Sequence, residues 1–167
     1  MTAPMLLFDT NVWLDFFLDR SAHHDVAGAL VAEANRHDAT ILTPVTALKD
    51  IYFLITLELK RMEREANGSV TESFANAINE VAWACIKSMR RQSVIVGADA
   101  TDMVEAIVMR PTHPDFEDNL IAAALVRSHA DFLVTSDKSL LHHQPVPCLS
   151  IDQAIDLLRG FEPRLSS

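Results

Sequence analysis

Met5-Leu6-Leu7-Phe8-Asp9-Thr10-Asn11 is the stretch whose reading decides the fold. Four apolar residues closed at once by an acid describe a short strand buried on both faces, with a carboxylate at its C-terminal end. The same signal recurs in Ile41-Leu42, Val94-Ile95-Val96 and Phe132-Leu133-Val134, and more weakly from Val146 to Leu149. Between these runs the apolar residues step at three and four, as helices require. Leu48, Ile51, Tyr52, Ile55, Leu59 and Met62 form one such stripe, and Phe74, Ile78, Val81, Cys85 and Met89 another. Shorter stripes follow at Met103 to Val108, which Pro111 ends, at Leu120 to Leu125, and at Ile151 to Leu158. Strands that alternate with helices predict an α/β protein with a central parallel sheet of four to five strands flanked by helices. Asn67-Gly68 predicts the turn of a long helical hairpin within the same domain.

The chain has 167 residues, the length of one domain. Hydrophobic residues make up 49%, enough for a core and too many for a disordered chain. With 14 Lys+Arg against 23 Asp+Glu the formal net charge is -9. That excludes a broad basic coat for nucleic acid, so any such contact has to be local. The four glycines, Gly28, Gly68, Gly97 and Gly160, make neither GxGxxG nor a P-loop. Cys85 and Cys148 stand too far apart in sequence for a CxxC motif and read as reduced thiols of a cytoplasmic protein. No apolar run approaches the ~20 residues of a membrane span, and Met1 to Met5 carries no basic secretory lead. The expectation is a cytoplasmic chain with no membrane contact.

Asp9 ends the first strand, and Asp137 follows the fourth after only Thr135 and Ser136. Both therefore fall on the strand-end rim where open parallel sheets bind ligands. Helices that return along the sheet begin at that rim. This brings Asp50 there after Ile41-Leu42, and Asp115 and Asp118 ahead of the helix leading to Phe132. Carboxylates gathered in one pocket repel one another, and a hard divalent cation relieves that repulsion. Such an ion suits phosphodiester hydrolysis without a nucleophilic side chain. Taken singly, each acid also suits a helix or turn cap, and that reading stays open. Asn11 could orient a carboxylate or a water, or serve as a turn amide, and Thr135 and Ser136 offer hydroxyls beside Asp137. The seven histidines hold no HExxH and are expected to be surface or core residues.

Leu7-Phe8-Asp9-Thr10-Asn11-Val12-Trp13-Leu14-Asp15 resembles the opening of PIN-domain proteins, where a strand ends in D-T-N or D-x-S. Asp115 to Ala124 is similar to that family's third acidic motif, with Asp118 in the ligand position, and Leu133 to Asp137 to its fourth. The resemblance implies one PIN-like domain over residues 1–167 and a Mg2+- or Mn2+-dependent ribonuclease. It further implies a VapC-like toxin of a type II toxin–antitoxin pair, homodimeric and held by a cognate antitoxin. Its implied catalytic set is Asp9, Asp50, Asp118 and Asp137, with Asp115 as a further metal ligand and Asn11 and Thr135 in support. The family's second acid is generally Glu, whereas Asp50 here is one methylene shorter.

Residues 44–91 carry seven of the basic groups and only six acids, so the rest of the chain is strongly acidic. A hairpin turning at Gly68 would return Lys87, Arg90 and Arg91 toward Lys49, forming a basic rim for an RNA backbone. Basic groups at a helix end also suit the helix dipole. Two other functions compete. One is a catalytically inactive PIN-like module that binds RNA or protein. The other is a phosphatase of the haloacid-dehalogenase type, which wants a second Asp where Asn11 stands.

Overall fold

The computed structural model describes residues 3–19, 23–143 and 145–161. The first two residues of the stretch read for a secretory lead, and the ends of the expected 1–167 domain, lie outside them. Five strands form one parallel sheet: β1 (Met5–Phe8), β2 (Thr40–Pro44), β3 (Val94–Val96), β4 (Phe132–Val134) and β5 (Cys148–Leu149). Their order is β3-β2-β1-β4-β5. The chain thus reverses its direction of travel across the sheet between β1 and β4, and the crevice above those two strand ends is the switch point where such sheets bind ligands. β1 pairs Leu7 with Leu133 on one side and with Leu42 on the other. The fifth strand is shorter than the apolar run Val146 to Leu149 suggested, because only Cys148 and Leu149 pair with β4.

Successive strand residues face opposite sides, and the core divides accordingly. Leu6 and Phe8 pack on one face with Val12, Trp13 and Leu14 of α1 (Thr10–Phe17), Leu30 of α2 (His23–Arg36), Ile51 and Ile55 of α3 (Val45–Asn67), Met89 of α4 (Glu72–Gln92) and Ile155 of α8 (Ile151–Arg159). Leu7 packs on the other face with Leu133, with Ile121 and Leu125 of α6 (Phe116–Ser128) and with Leu140 of α7 (Lys138–His143). The remaining helix, α5 (Ala100–Met109), lies against α6. The Trp13 indole is fully buried, and its Nε1–H donates to Thr43 Oγ1 at 3.1 Å. A buried indole N–H needs such an acceptor.

The expected hairpin is α3 and α4. Gly68 closes α3 in the left-handed region at φ 77°, a conformation that glycine adopts without a Cβ penalty. Thr71 caps α4 by accepting from the Phe74 N–H. The stripe predicted for α4 is only partly core. Ile78 and Met89 are buried, whereas Phe74 and Val81 are exposed; α4 packs mainly against α3.

Candidate active site

Asp9 is the deepest acid at the switch point. It is the residue before α1, and its extended backbone makes it the N-cap. One carboxylate oxygen accepts from the Thr10 N–H at 2.6 Å, and the other from the Thr135 hydroxyl at 2.7 Å. Thr135 is fully buried just past β4, so this hydrogen bond ties the two strand ends together. The same Thr135 oxygen accepts from the Asp137 N–H at 2.9 Å. With Asp9 only 3% exposed, burial pushes its pKa up to about 6. The charges of Asp118 and Asp137 push the same way, and the Thr135 and Thr10 hydrogen bonds oppose them. Asp9 thus holds an ionised carboxylate at neutral pH against an unfavourable environment, which is how a group waiting for a counter-charge behaves.

Asp118 lies in the first turn of α6. It is half-buried, and burial raises its pKa, with the charges of Asp115 and Asp137 adding to the rise. One of its oxygens is 2.8 Å from His113 Nε2, a contact that opposes the rise. His113 is 1% exposed, and Asn119 Nδ2 donates to its carbonyl at 2.8 Å. His113 is thus a buried residue, as the sequence reading of the histidines allowed, and its ring meets Asp118 from outside the cavity lining. The short turn before α6 folds His113 back over the helix start and under Asp118. The rings of His113 and His143 stand 5.4 Å apart and those of His142 and His143 5.1 Å apart, so these three form a cluster behind the acid. Apolar periodicity carries no sign of this. The only signal was a histidine five positions before an acid at a helix start.

A cavity of about 480 Å³ opens above Asp9. Asp9, Asn11, Asp50, Glu117 and Asp118 supply much of its polar wall, and Leu54, Phe116, Leu120 and Ile121 its apolar wall. Asp50 reaches it from the second turn of α3, one turn later than its sequence position suggested, with Lys49 Nζ 3.5 Å from its Oδ1. Glu117 lines the cavity although its sequence position marked it only as a neighbour of Asp118. Asp115 and Asp137 are placed differently. Asp115 is exposed and caps α6, its Oδ1 accepting from the Glu117 and Asp118 N–H groups at 2.9 and 3.1 Å. Asp137 Oδ1 accepts from the Ser139 and Leu140 N–H groups at the start of α7. Neither lines the cavity, though both act on its acids through their charge.

The donor set fits a hard, hydrated divalent cation. The cavity offers carboxylates and neither histidine nor thiolate, and burial together with neighbouring charge raises the pKa values of Asp9 and Asp118. Among the described residues no three His, Cys, Asp or Glu side chains stand close enough to enclose an ion. Asp9 and Asp118 are the carboxylates of the cavity whose oxygens a hydrated divalent cation would take.

The basic residues divide into two groups. Lys49 lines the acidic cavity, whereas Lys87, Arg90 and Arg91 line a separate cleft at the end of α4. Among the described residues none of those three has a carboxylate within 4.0 Å. No described helix is long and apolar enough to cross a membrane.

A parallel five-stranded sheet with acids at its switch point defines a class of α/β proteins that act at the strand ends. The family model described as PIN domain matches residues 5–139, and the chain belongs to the PIN domain family, whose members are nucleases. No curated protein sequence matches it. Among solved structures it is similar to VapBC2 from Rickettsia felis bound to a DNA fragment from its promoter. The TM-score there is 0.62 at 12% identity, covering 87% of this chain and 98% of that one. It is also similar to VapC20 of Mycobacterium tuberculosis, a toxin that cleaves the sarcin-ricin loop. There the TM-score is 0.56 at 16% identity, covering 82% of this chain and 93% of that one. At these identities the likeness is one of fold.

Proposed function

We propose that this chain is a Mg2+- or Mn2+-dependent endoribonuclease, the toxin of a toxin–antitoxin pair in the cytoplasm. The observation that carries the reading is Asp9, almost fully buried at the switch point, with its pKa raised by burial and by the charges of Asp118 and Asp137. Membership of a nuclease family and a fold shared with VapC toxins support it.

The roles of the chain's own residues follow from their contacts. Thr10 and Thr135 hold both oxygens of Asp9, so the carboxylate is fixed in orientation. His113 holds one oxygen of Asp118. Asp9 and Asp118 are the residues that would hold the ion, and Asp50 adds a further carboxylate at the cavity wall. Asp137 and Asp115 contribute negative charge from their capping positions, and Asn11 offers its amide to water in the cavity. When bound, the ion polarises the phosphodiester and makes an attacking water more acidic. Lys49, Lys87, Arg90 and Arg91 supply the local positive charge that an RNA backbone needs on an acidic protein. A cognate antitoxin and a second copy of the chain are the proposed partners. Met103, Val104, Ile107 and Val108 of α5, each at least half exposed, offer apolar surface for such contacts.

The test is incubation of the purified chain with single-stranded RNA in Mn2+, in Mn2+ with excess EDTA, and in Mn2+ with the Asp118→Asn variant. Cleavage in the first alone is the expected result, and full cleavage by Asp118→Asn rejects the site. Asp50, one methylene shorter than the family's usual Glu, and the net charge of -9 favour one other reading, a catalytically inactive PIN module that binds RNA or protein. Calorimetric titration with Mn2+ separates the two, since a quiet module takes up no heat at millimolar metal.

A further inference from the structure

The geometry points to a nucleobase slot between the hairpin helices, where Trp83 and Tyr52 receive one unpaired base of an RNA whose backbone runs past the acidic cavity. The inference rests on the ribonuclease reading for its choice of ligand. Trp83 of α4 is 52% exposed, although an indole is normally one of the most buried side chains. It meets Tyr52 of α3 edge to face, with centroids 5.6 Å apart and planes at 65°. Such a contact props the indole from one side and does not cover both of its faces.

Beside this pair lies a cavity of about 280 Å³, walled by Leu48, Lys49, Tyr52, Trp83 and Ile86. That is smaller than the roughly 300–1,000 Å³ of sites for drug-sized ligands, so it suits a single planar ring system better than a whole cofactor. Two features select a nucleobase over other flat apolar groups. Lys49 is a wall of both this slot and the acidic cavity, so the two sites adjoin across one side chain. Lys87 and Arg90 follow Trp83 at four and seven positions along α4, which places them on the same helix face, and neither has a carboxylate within 4.0 Å among the described residues. An aromatic platform flanked by free cations is how proteins hold single-stranded nucleic acid, the base stacking while the backbone follows the charge. A partner's amphipathic helix would instead need a longer apolar groove with several anchors.

The test uses the two tryptophans as reporters. Trp13 is fully buried, so quenching by an added ligand reports on Trp83. The full chain is titrated in EDTA with a short single-stranded oligouridylate and with an abasic ribose-phosphate oligomer of the same length. The oligouridylate should quench the fluorescence and the abasic oligomer should not. With both oligomers end-labelled with fluorescein and affinities read by anisotropy, which needs no tryptophan, Trp83→Ala should bind oligouridylate roughly tenfold more weakly while binding the abasic oligomer as the wild type does, and Trp83→Phe should recover most of the affinity. Equal affinity of wild type and Trp83→Ala for oligouridylate overturns the slot and leaves the groove to a protein partner. An equal loss for both oligomers also overturns it, because the defect then lies in backbone binding. The EDTA titration does not depend on cleavage. A chain that quenches with oligouridylate but never cuts RNA in Mn2+ retains the base slot and overturns the nuclease reading alone.

Discussion

His113 Nε2 lies 2.8 Å from Asp118 Oδ2, and the histidine beneath that contact is only 1% exposed. The half-buried carboxylate therefore has one oxygen held from behind, in a ring anchored by its own backbone to Asn119. His113→Ala removes this hydrogen bond and leaves a cavity under the acid. Chemical denaturation should show a loss of about 2–3 kcal/mol. The same variant should bind Mn2+ more weakly by calorimetry, since the freed carboxylate can rotate away from the cavity. Unaltered stability and unaltered Mn2+ affinity would mean that the contact holds nothing in place.

Asp9 should make the metal-free protein less stable as the pH rises. Its pKa is about 6 in the folded chain against 3.8 for an ordinary aspartate. Below pH 3.8 the carboxyl is protonated in both states and contributes nothing. Between 3.8 and about 6 the unfolded chain ionises first, so a penalty on folding builds and is complete above 6. The full penalty is about 3 kcal/mol, since each tenfold change in proton affinity is worth roughly 1.4 kcal/mol. Asp9→Asn should therefore raise the stability in EDTA at about pH 7.5, with the gain vanishing near pH 4. Adding Mg2+ should stabilise the wild type and not the variant. Urea titrations at the two pH values, with and without Mg2+, give the comparison.

Asp115 and Asp118 differ in their contacts. Asp115 caps α6 through its Oδ1, and asparagine can accept the same two hydrogen bonds. Asp115→Asn should keep both the melting temperature and most RNA cleavage. Asp115→Ala should lose about 1 kcal/mol, as the removal of an N-cap does. Asp118→Asn should fold normally and lose cleavage by about a hundredfold or more, on the order expected for loss of a group acting in the transition state. If Asp115→Asn is as inactive as Asp118→Asn, then Asp115 acts directly on the chemistry.

Gly68 sets the hairpin. Its φ of 77° is left-handed, yet a Cβ built there would meet nothing within 4 Å. Gly68→Ala should therefore cost only the backbone strain of one residue, about 1–2 kcal/mol, visible as a lowered denaturation midpoint. A much larger loss would mean that more than this one backbone angle depends on the glycine.

The strands and the hairpin were legible in the sequence because each is a local pattern. Met5-Leu6-Leu7-Phe8 has the unbroken apolar run of a strand covered on both sides, and Asn67-Gly68 is a turn wherever it falls. The rim positions of Asp9 and Asp118 followed from direction alone, since helices that return along a parallel sheet must start where its strands end. Which acid turns back onto its helix and which lines the cavity was not legible. A cap and a ligand want the same residue at the same place, so Asp115 and Asp118 look alike until the structure shows which side chain turns back onto its own helix.

Local sequence thus determined the α/β alternation, the parallel strand direction and the acids at the strand ends, because these depend on residue period and chain direction. Tertiary structure alone decided that Thr135 clamps Asp9 across 126 residues and that His113 folds under Asp118. It also set Trp83 against Tyr52, half open to solvent. Contacts of this kind join elements whose spacing is fixed by the packing of the sheet and its helices, and no periodicity along the chain encodes which side chains the packing brings within hydrogen-bond reach.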